Sequence, residues 1–182
     1  MVNKYQIFLF IFFLLFSCKE TYGELDQIIM NENFQLRVPS SWNFERQALP
    51  GNMGFTINLW DEKEESTLSI TVIDLDLSME ELMNFSKEVL DRNPVVTPIN
   101  FSRPLQGLFS GFPTNEYFFT GRTRSNSLSP VHTHPHTSYE VNGKILIFKN
   151  GKKSFLINYQ GKAKFERNAL IEEILSTFTI KN

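Results

Sequence analysis

All three histidines of the chain, His132, His134 and His136, alternate with Thr133 and Pro135 in one short stretch. In an extended segment, residues two apart share a face, so the three imidazoles point the same way. Imidazole nitrogens hold Zn²⁺ or Cu²⁺, and at neutral pH the ring is free to ligate because its ordinary pKa is ~6.5. Glu140 or a water supplies the fourth ligand of such a site. Geometry opposes this in a straight strand, where the outer two side chains stand about 13 Å apart. One ion is reached only if the segment curls, and Pro135 is placed to bend it. The competing reading is an exposed histidine-rich loop with no ligand.

Other chemistry is sparser. Asp74 and Asp76 are close enough in sequence to pair as acid and base. Glycosidase-type carboxylates face each other from different elements across a cleft, however, so a surface loop explains these two better. No Gly-x-Ser-x-Gly nucleophile turn, Gly-x-Gly-x-x-Gly run or phosphate-binding loop occurs. Trp42 reads as a packed aromatic rather than a ligand-stacking platform. Lys149, Lys152 and Lys153 read as the solvated tip of a hairpin. Two Asn-x-Ser sequons, at Asn84 and Asn100, carry little weight by themselves, and Phe85 within the first belongs to a helix core.

Cys18 is the one cysteine, so no intrachain disulfide and no cysteine-built metal site can form. Its surroundings explain it. A single charge at Lys4 precedes an apolar run from Ile7 to Phe16. As a helix that run rises only about 15 Å, half of a bilayer's hydrocarbon, so it is a signal segment rather than a span. It ends in Leu15-Phe16-Ser17-Cys18, which resembles the bacterial lipobox. The resemblance implies cleavage between Ser17 and Cys18, with acyl chains on the new N-terminal cysteine. Each buried methylene contributes ~0.8 kcal/mol, and two or three chains suffice for stable anchoring. The alternative is an ordinary secretory leader cut after Gly23, with Thr21 at −3. Lys19-Glu20 is similar to the surface-export signals of some lipoproteins, which adds the cell surface to the addresses open to it.

These features must be carried by one domain. The chain has 182 residues, 18 basic against 20 acidic, and 18 phenylalanines. A near-neutral balance gives no reason to expect a nucleic-acid partner, whose phosphates demand a basic face. The expected organisation is a leader over 1–17, the acylated cysteine and a polar tether over 18–31, and a single domain over 32–182.

Apolar residues alternate along Asn33–Val38, Gly54–Trp60 and Thr67–Ile73, the period of half-buried strands. Ser78-Met79-Glu80-Glu81 is a capping box opening a helix to about Arg92, with Leu82, Phe85 and Val89 as its apolar stripe and Pro94 as its stop. Thr97–Phe101 and Gly107–Phe109 are shorter strand candidates. Gly111-Phe112-Pro113 reads as a turn before a strand over Asn115–Arg122, and Thr123–Thr137 as a long loop. Ile145–Phe148 is apolar on both faces, as for a central strand. Asn150-Gly151 is a hairpin signal, with both residues suited to positive φ, leading into Ser154–Tyr159. A last helix over Phe165–Ser176 and a short strand over Phe178–Lys181 end the chain. Antiparallel hairpins with helices on the sheet faces make an α+β sandwich.

This pattern resembles the PsbP/Mog1-like superfamily, whose bacterial lipoproteins include the DcrB type. The matching residues are the strand Asn33–Val38 running into Pro39-Ser40-Ser41-Trp42, the helix start at Ser78–Leu82 and the Gly111-Phe112-Pro113 turn. The hairpin at Asn150-Gly151 and the helix-to-strand junction Ile174–Phe178 complete them. The resemblance covers about residues 31–181. It implies an α/β/α sandwich around a central antiparallel sheet and an accessory or binding role with no shared catalytic residue. The expectation is a non-enzymatic envelope lipoprotein that binds a protein or small ligand. The alternative is a metal-binding lipoprotein using His132, His134 and His136.

Overall fold

Strict alternation writes two faces into every long strand. On β4 (Gly54–Asp61), Phe55, Ile57 and Leu59 point one way while Thr56 and Asn58 point the other. The same division runs through β5 (Ser66–Ile73), with Leu68, Ile70 and Val72 opposed to Ser69 and Thr71. It continues on β10 (Lys153–Lys162), where Phe155, Ile157 and Tyr159 oppose Leu156, Asn158 and Gln160. The computed structural model describes residues 24–61, 66–91, 96–123, 140–162 and 166–181. Within them these strands form an antiparallel sheet ordered β3-β4-β5-β10-β9-β8-β6. Its other members are β3 (Asn43–Ala48), β6 (Val96–Phe101), β8 (Phe112–Thr123) and β9 (Glu140–Asn150). β7 (Leu105–Phe109) also pairs with β8.

One face of this sheet, face A, carries the larger core. A separate three-stranded sheet, β1-β2-β11, packs there together with helix α2 (Glu166–Ser176). It consists of β1 (Gln27–Met30), β2 (Phe34–Val38) and β11 (Thr179–Ile180). Phe34, Leu36 and Val38 face inward from β2, and Ile171, Ile174 and Leu175 from α2. Aromatic rings bind the layers. Phe148 stacks on Phe155 at 4.9 Å with rings 4° apart, and Phe178 lies 5.1 Å from Phe34 and 5.4 Å from Phe109. Full burial of one such ring contributes about 1.5–3 kcal/mol.

Face B is covered by helix α1 (Met79–Asp91), whose Leu82, Met83 and Leu90 pack on Ile73, Ile145, Ile147, Leu156 and Phe119. The capping box forms as the sequence predicts. The Ser78 amide donates to Glu81 Oε2 at 2.7 Å, and the Glu81 amide donates to Ser78 Oγ at 3.2 Å. The hydrogen bond from the Ser78 backbone holds the Glu81 carboxyl below its ordinary pKa. β9 is the strand covered on both faces, with Ile145, Leu146, Ile147 and Phe148 all buried. The architecture is the expected α/β/α sandwich around a central antiparallel sheet.

Several details differ from the sequence reading. Gln27–Met30, expected within the tether, pairs with β2 as β1. β3 is an extra edge strand; all six of its residues are exposed, so it has no apolar alternation to betray it. Val89, expected in the apolar stripe of α1, is half exposed, and Leu90 and Met83 are buried instead. The β9–β10 turn consists of Gly151 and Lys152. Asn150 pairs with Lys153 in the ladder, and only Gly151 of the two expected residues has positive φ, at 60°. Phe112 and Pro113 belong to β8; the turn before them is Ser110-Gly111, with φ of 49° and 84°. The terminal strand closes the small sheet beside β2 rather than the large one.

Gly143 on β9 lies under the Phe119 ring, and a Cβ there would sit 2.0 Å from the ring. Phe119 is buried and rests against Phe101 at 5.7 Å, so it has nowhere cheap to go. Gly143→Ala is expected to cost about 1–3 kcal/mol of unfolding free energy in urea titrations. Adding Phe119→Ala should cost less in that background than in the parent, because the clash is gone.

Candidate functional site

The polar sides of β4, β5 and β10 converge beside α1. α1 packs against β6, β9 and β10, which leaves the β3–β5 part of face B open along its flank. The result is a cleft of about 430 Å³, within the ~300–1,000 Å³ range of small-molecule pockets. Its floor is Thr56, Asn58, Ser69, Thr71, Asn158 and Gln160, and its helical wall is Phe85, Ser86, Val89 and Leu90. Leu49 and Gln47 stand at the β3 end, and Leu156 at the back.

Part of the floor is internally satisfied. The Thr56 and Thr71 hydroxyls are 2.9 Å apart across strands, and Ser69 Oγ donates to Asn58 Oδ1 at 2.8 Å. Three atoms are not. Ser86 Oγ, Asn158 Oδ1 and Gln160 Oε1 are buried and have no hydrogen-bond partner among the described residues. Ser86 is 1% exposed and Gln160 9%. Buried polar groups left without partners are rare in folded proteins, and each costs about 1–3 kcal/mol. Each of the three is shut off from solvent, so they are unmet within the floor and the helical wall rather than presented to the cleft.

Among the described residues, no acid, base, thiol or imidazole lines this cleft. Its hydroxyl groups, on Thr56, Ser69, Thr71 and Ser86, have no base among the described lining residues to activate them. The arrangement offers hydrogen bonds and an apolar wall, which is binding chemistry.

A second, smaller concavity of about 180 Å³ lies on face A beside β7. Lys144 reaches into it and pairs with Glu116 at 2.8 Å and with Glu172 of α2. Burial pushes its ammonium pKa down, but hydrogen bonds and attraction from the two carboxylates outweigh that and hold it above the ordinary lysine value. Lys144 is thus spent tying α2 to the sheet.

The residues singled out from sequence are dispersed. Cys18, Ser17 and the three histidines His132, His134 and His136 lie outside the described residues, and Glu140 is exposed at the start of β9. Among the described residues no group of metal-ligating side chains assembles, and no helix is long and apolar enough to cross a membrane. Trp42 is buried in the face A core, as its packing reading requires. Asp74 and Asp76 each pair with a lysine, Lys153 at 3.5 Å and Lys149 respectively. The β9–β10 lysines are therefore partly engaged rather than merely solvated. The hydrogen bond from Lys149, with its charge, holds the Asp76 carboxyl below its ordinary pKa.

No protein-family model matches the sequence, and no curated protein matches it either. Solved structures do. Cyanobacterial PsbP (CyanoP) from Synechocystis sp. PCC 6803 superposes with a TM-score of 0.51 at 14% identity, over 85% of this chain and 92% of that one. The fold is PsbP-like. LpqN of Mycobacterium tuberculosis, described as involved in cell envelope biogenesis, matches at TM-score 0.44 and 12% identity, over 86% of this chain and 90% of that one. The Saccharomyces cerevisiae Ran-binding protein Mog1p matches at TM-score 0.41 and 8% identity, over 81% and 89%. At such identities the PsbP-like scaffold is shared, and the side chains of the cleft must be judged on their own chemistry.

Ser86→Ala tests whether that hydroxyl is truly without a protein partner. The substitution is expected to leave the unfolding free energy unchanged or raise it by about 1 kcal/mol, since it removes an unpaired buried group and alanine favours helix. A loss of stability in chemical denaturation would show that the protein itself satisfies Ser86.

Proposed function

We propose that this chain is a lipid-anchored bacterial envelope protein whose PsbP-like domain binds a ligand without transforming it. The observation that carries the binding role is the α1-flank cleft itself, about 430 Å³ with a polar floor and an apolar wall and, among the described residues, no titratable side chain lining it. The anchor rests on the lipobox-like Leu15-Phe16-Ser17-Cys18 behind a short apolar run. Cleavage before Cys18 frees the α-amino group, and thioether-linked diacylglyceryl together with N-acylation holds the domain to a membrane. The sequence's resemblance to the PsbP/Mog1-like superfamily, which implies an accessory or binding role, agrees with this reading. The anchor places the domain at the outer or periplasmic membrane face, or at the cell surface.

Growing cells with an alkyne-bearing fatty acid tests the anchor. The parent is expected to carry label and partition with membranes, whereas Cys18→Ser is expected to lose both. Recovery of an unlabelled parent protein beginning at Glu24 would overturn the anchor and leave the cleft reading untouched.

A second reading has its own observation, the three alternate imidazoles at His132, His134 and His136. Under it the segment curls around Zn²⁺ or Cu²⁺. Calorimetric titration with either ion should then show one site, lost in the triple His→Ala variant. Equal binding by parent and variant removes this reading.

A further inference from the structure

We propose that β7 is a docking edge for a second copy of this chain, the two β7 strands pairing antiparallel about a two-fold axis at Gly107. Among the described residues β7 pairs with β8 alone, so its outer edge presents unmet backbone groups. The two-residue turn Ser110-Gly111 makes Phe109 and Phe112 a hydrogen-bonded pair. Alternation then turns the N–H and C=O groups of Leu105, Gly107 and Phe109 toward β8, and those of Gln106 and Leu108 outward. Packing holds this edge in place. The Phe109 ring rests 5.4 Å from both Phe148 and Phe178, and Ser110 Oγ donates to the Phe178 carbonyl at 2.8 Å. Leu108 is 77% exposed and Leu105 58%, and none of the five residues is charged. Gly107 has no positive φ, and a Cβ there would meet nothing within 4 Å. Neither backbone conformation nor packing within one copy therefore requires glycine, and such a glycine marks a place where another backbone approaches.

The order of residues in β7 selects its own copy as partner. A two-fold axis perpendicular to the sheet keeps face A of one copy in line with face A of the other. With Gly107 at the axis, Gln106 of each copy lies opposite Leu108 of the other, and these outward-turned pairs exchange four backbone hydrogen bonds. On face A each Leu105 lies opposite the other copy's Phe109, an apolar cross-strand pair worth ~0.2–1 kcal/mol. Gly107 opposes itself, with no side chain to crowd the axis. The other edges are guarded against the same pairing. On β3 the two symmetric registers nearest its middle set Glu45 against Glu45 or Arg46 against Arg46. β6 carries Pro98 at an irregularity in its ladder. The ends of β1 are flanked by Asp26 and Glu32, which antiparallel self-pairing brings together, and β11 has two residues. Five residues a side fall well short of the roughly 20–30 of a standard interface, so the dimer is a weak one that forms at high local concentration.

The test sediments the full chain in a density-matched detergent at concentrations rising to about 1 mM. The parent is expected to shift from the mass of one chain toward that of two. Gln106→Glu/Leu108→Glu sets like charges opposite each other at both pairs and should weaken the dimer by about tenfold. Gln106→Lys/Leu108→Glu loses the same leucine but sets lysine against glutamate across the axis, and should dimerise about as well as the parent. Both positions are exposed, and urea titration of each variant verifies that it folds. A parent that stays monomeric throughout overturns the proposal. So does a dimer that both variants leave unchanged, which places the contact on another surface, and so does one that both weaken alike, which removes the Gly107 register.

Discussion

A single helix cannot cover one face of a sheet this wide. Seven strands spaced by about 4.8 Å measure nearly 30 Å across, whereas a helix with its side chains is about 10–12 Å thick. On face A the deficit is met by a second sheet and α2 together, and the core there is continuous. On face B, among the described residues, α1 is the covering helix, and it lies over the β10–β6 side. The strands beyond it must present something other than a bare apolar surface. β4 and β5 present threonine, asparagine and serine, and the junction between covered and uncovered halves is the cleft. The site is thus a consequence of the layer count, and its polarity is the solution the chain adopts there.

That origin also makes the cleft stiff. Each floor residue alternates with a core residue one position away, so the backbone beneath the cleft is clamped from the other side. Asn158 sits between Ile157 and Tyr159, both packed into face A, and Thr71 sits between Ile70 and Val72. Phe155, stacked on Phe148, holds β10 to β9 at the end of the same ladder. A ligand meeting this floor finds its groups already placed, which spares much of the ordering cost of binding.

The apolar half of this design was legible in the sequence because burial imposes a period. Phe34, Leu36 and Val38, or Phe55, Ile57 and Leu59, announce a strand and its inner face together. The capping box at Ser78 announces the helix by local hydrogen bonding alone. β3 was illegible for the opposite reason: with both faces in solvent, no residue type is required at any position. β1 is short and offers only Ile29 to the core. The turn slipped by one residue because a two-residue turn led by glycine needs positive φ at Gly151, not at Asn150. The cleft was missed because its floor alternates as a solvated face does. The signal lay in Asn158 and Gln160, polar residues on β10, which is paired on both sides; alternation alone does not separate a wet face from a lined pocket.

The chemistry of the cleft sets what anchoring has to add. Neutral hydrogen bonds contribute about 0.5–1.5 kcal/mol each, and a modest apolar wall a few more. Set against the lost freedom of a bound molecule, that sum leaves an affinity nearer millimolar than nanomolar. A freely diffusing protein with such a site would be empty at low ligand concentration. On the proposed acylation of Cys18, the domain would meet surface-bound ligands at a high effective concentration, so weak, uncharged contacts would be enough. Under that proposal, the acylated cysteine and the uncharged cleft answer the same physical need. One supplies proximity, and the other supplies selection by hydrogen-bond pattern without the non-specific pull that a charged site would exert on everything around it.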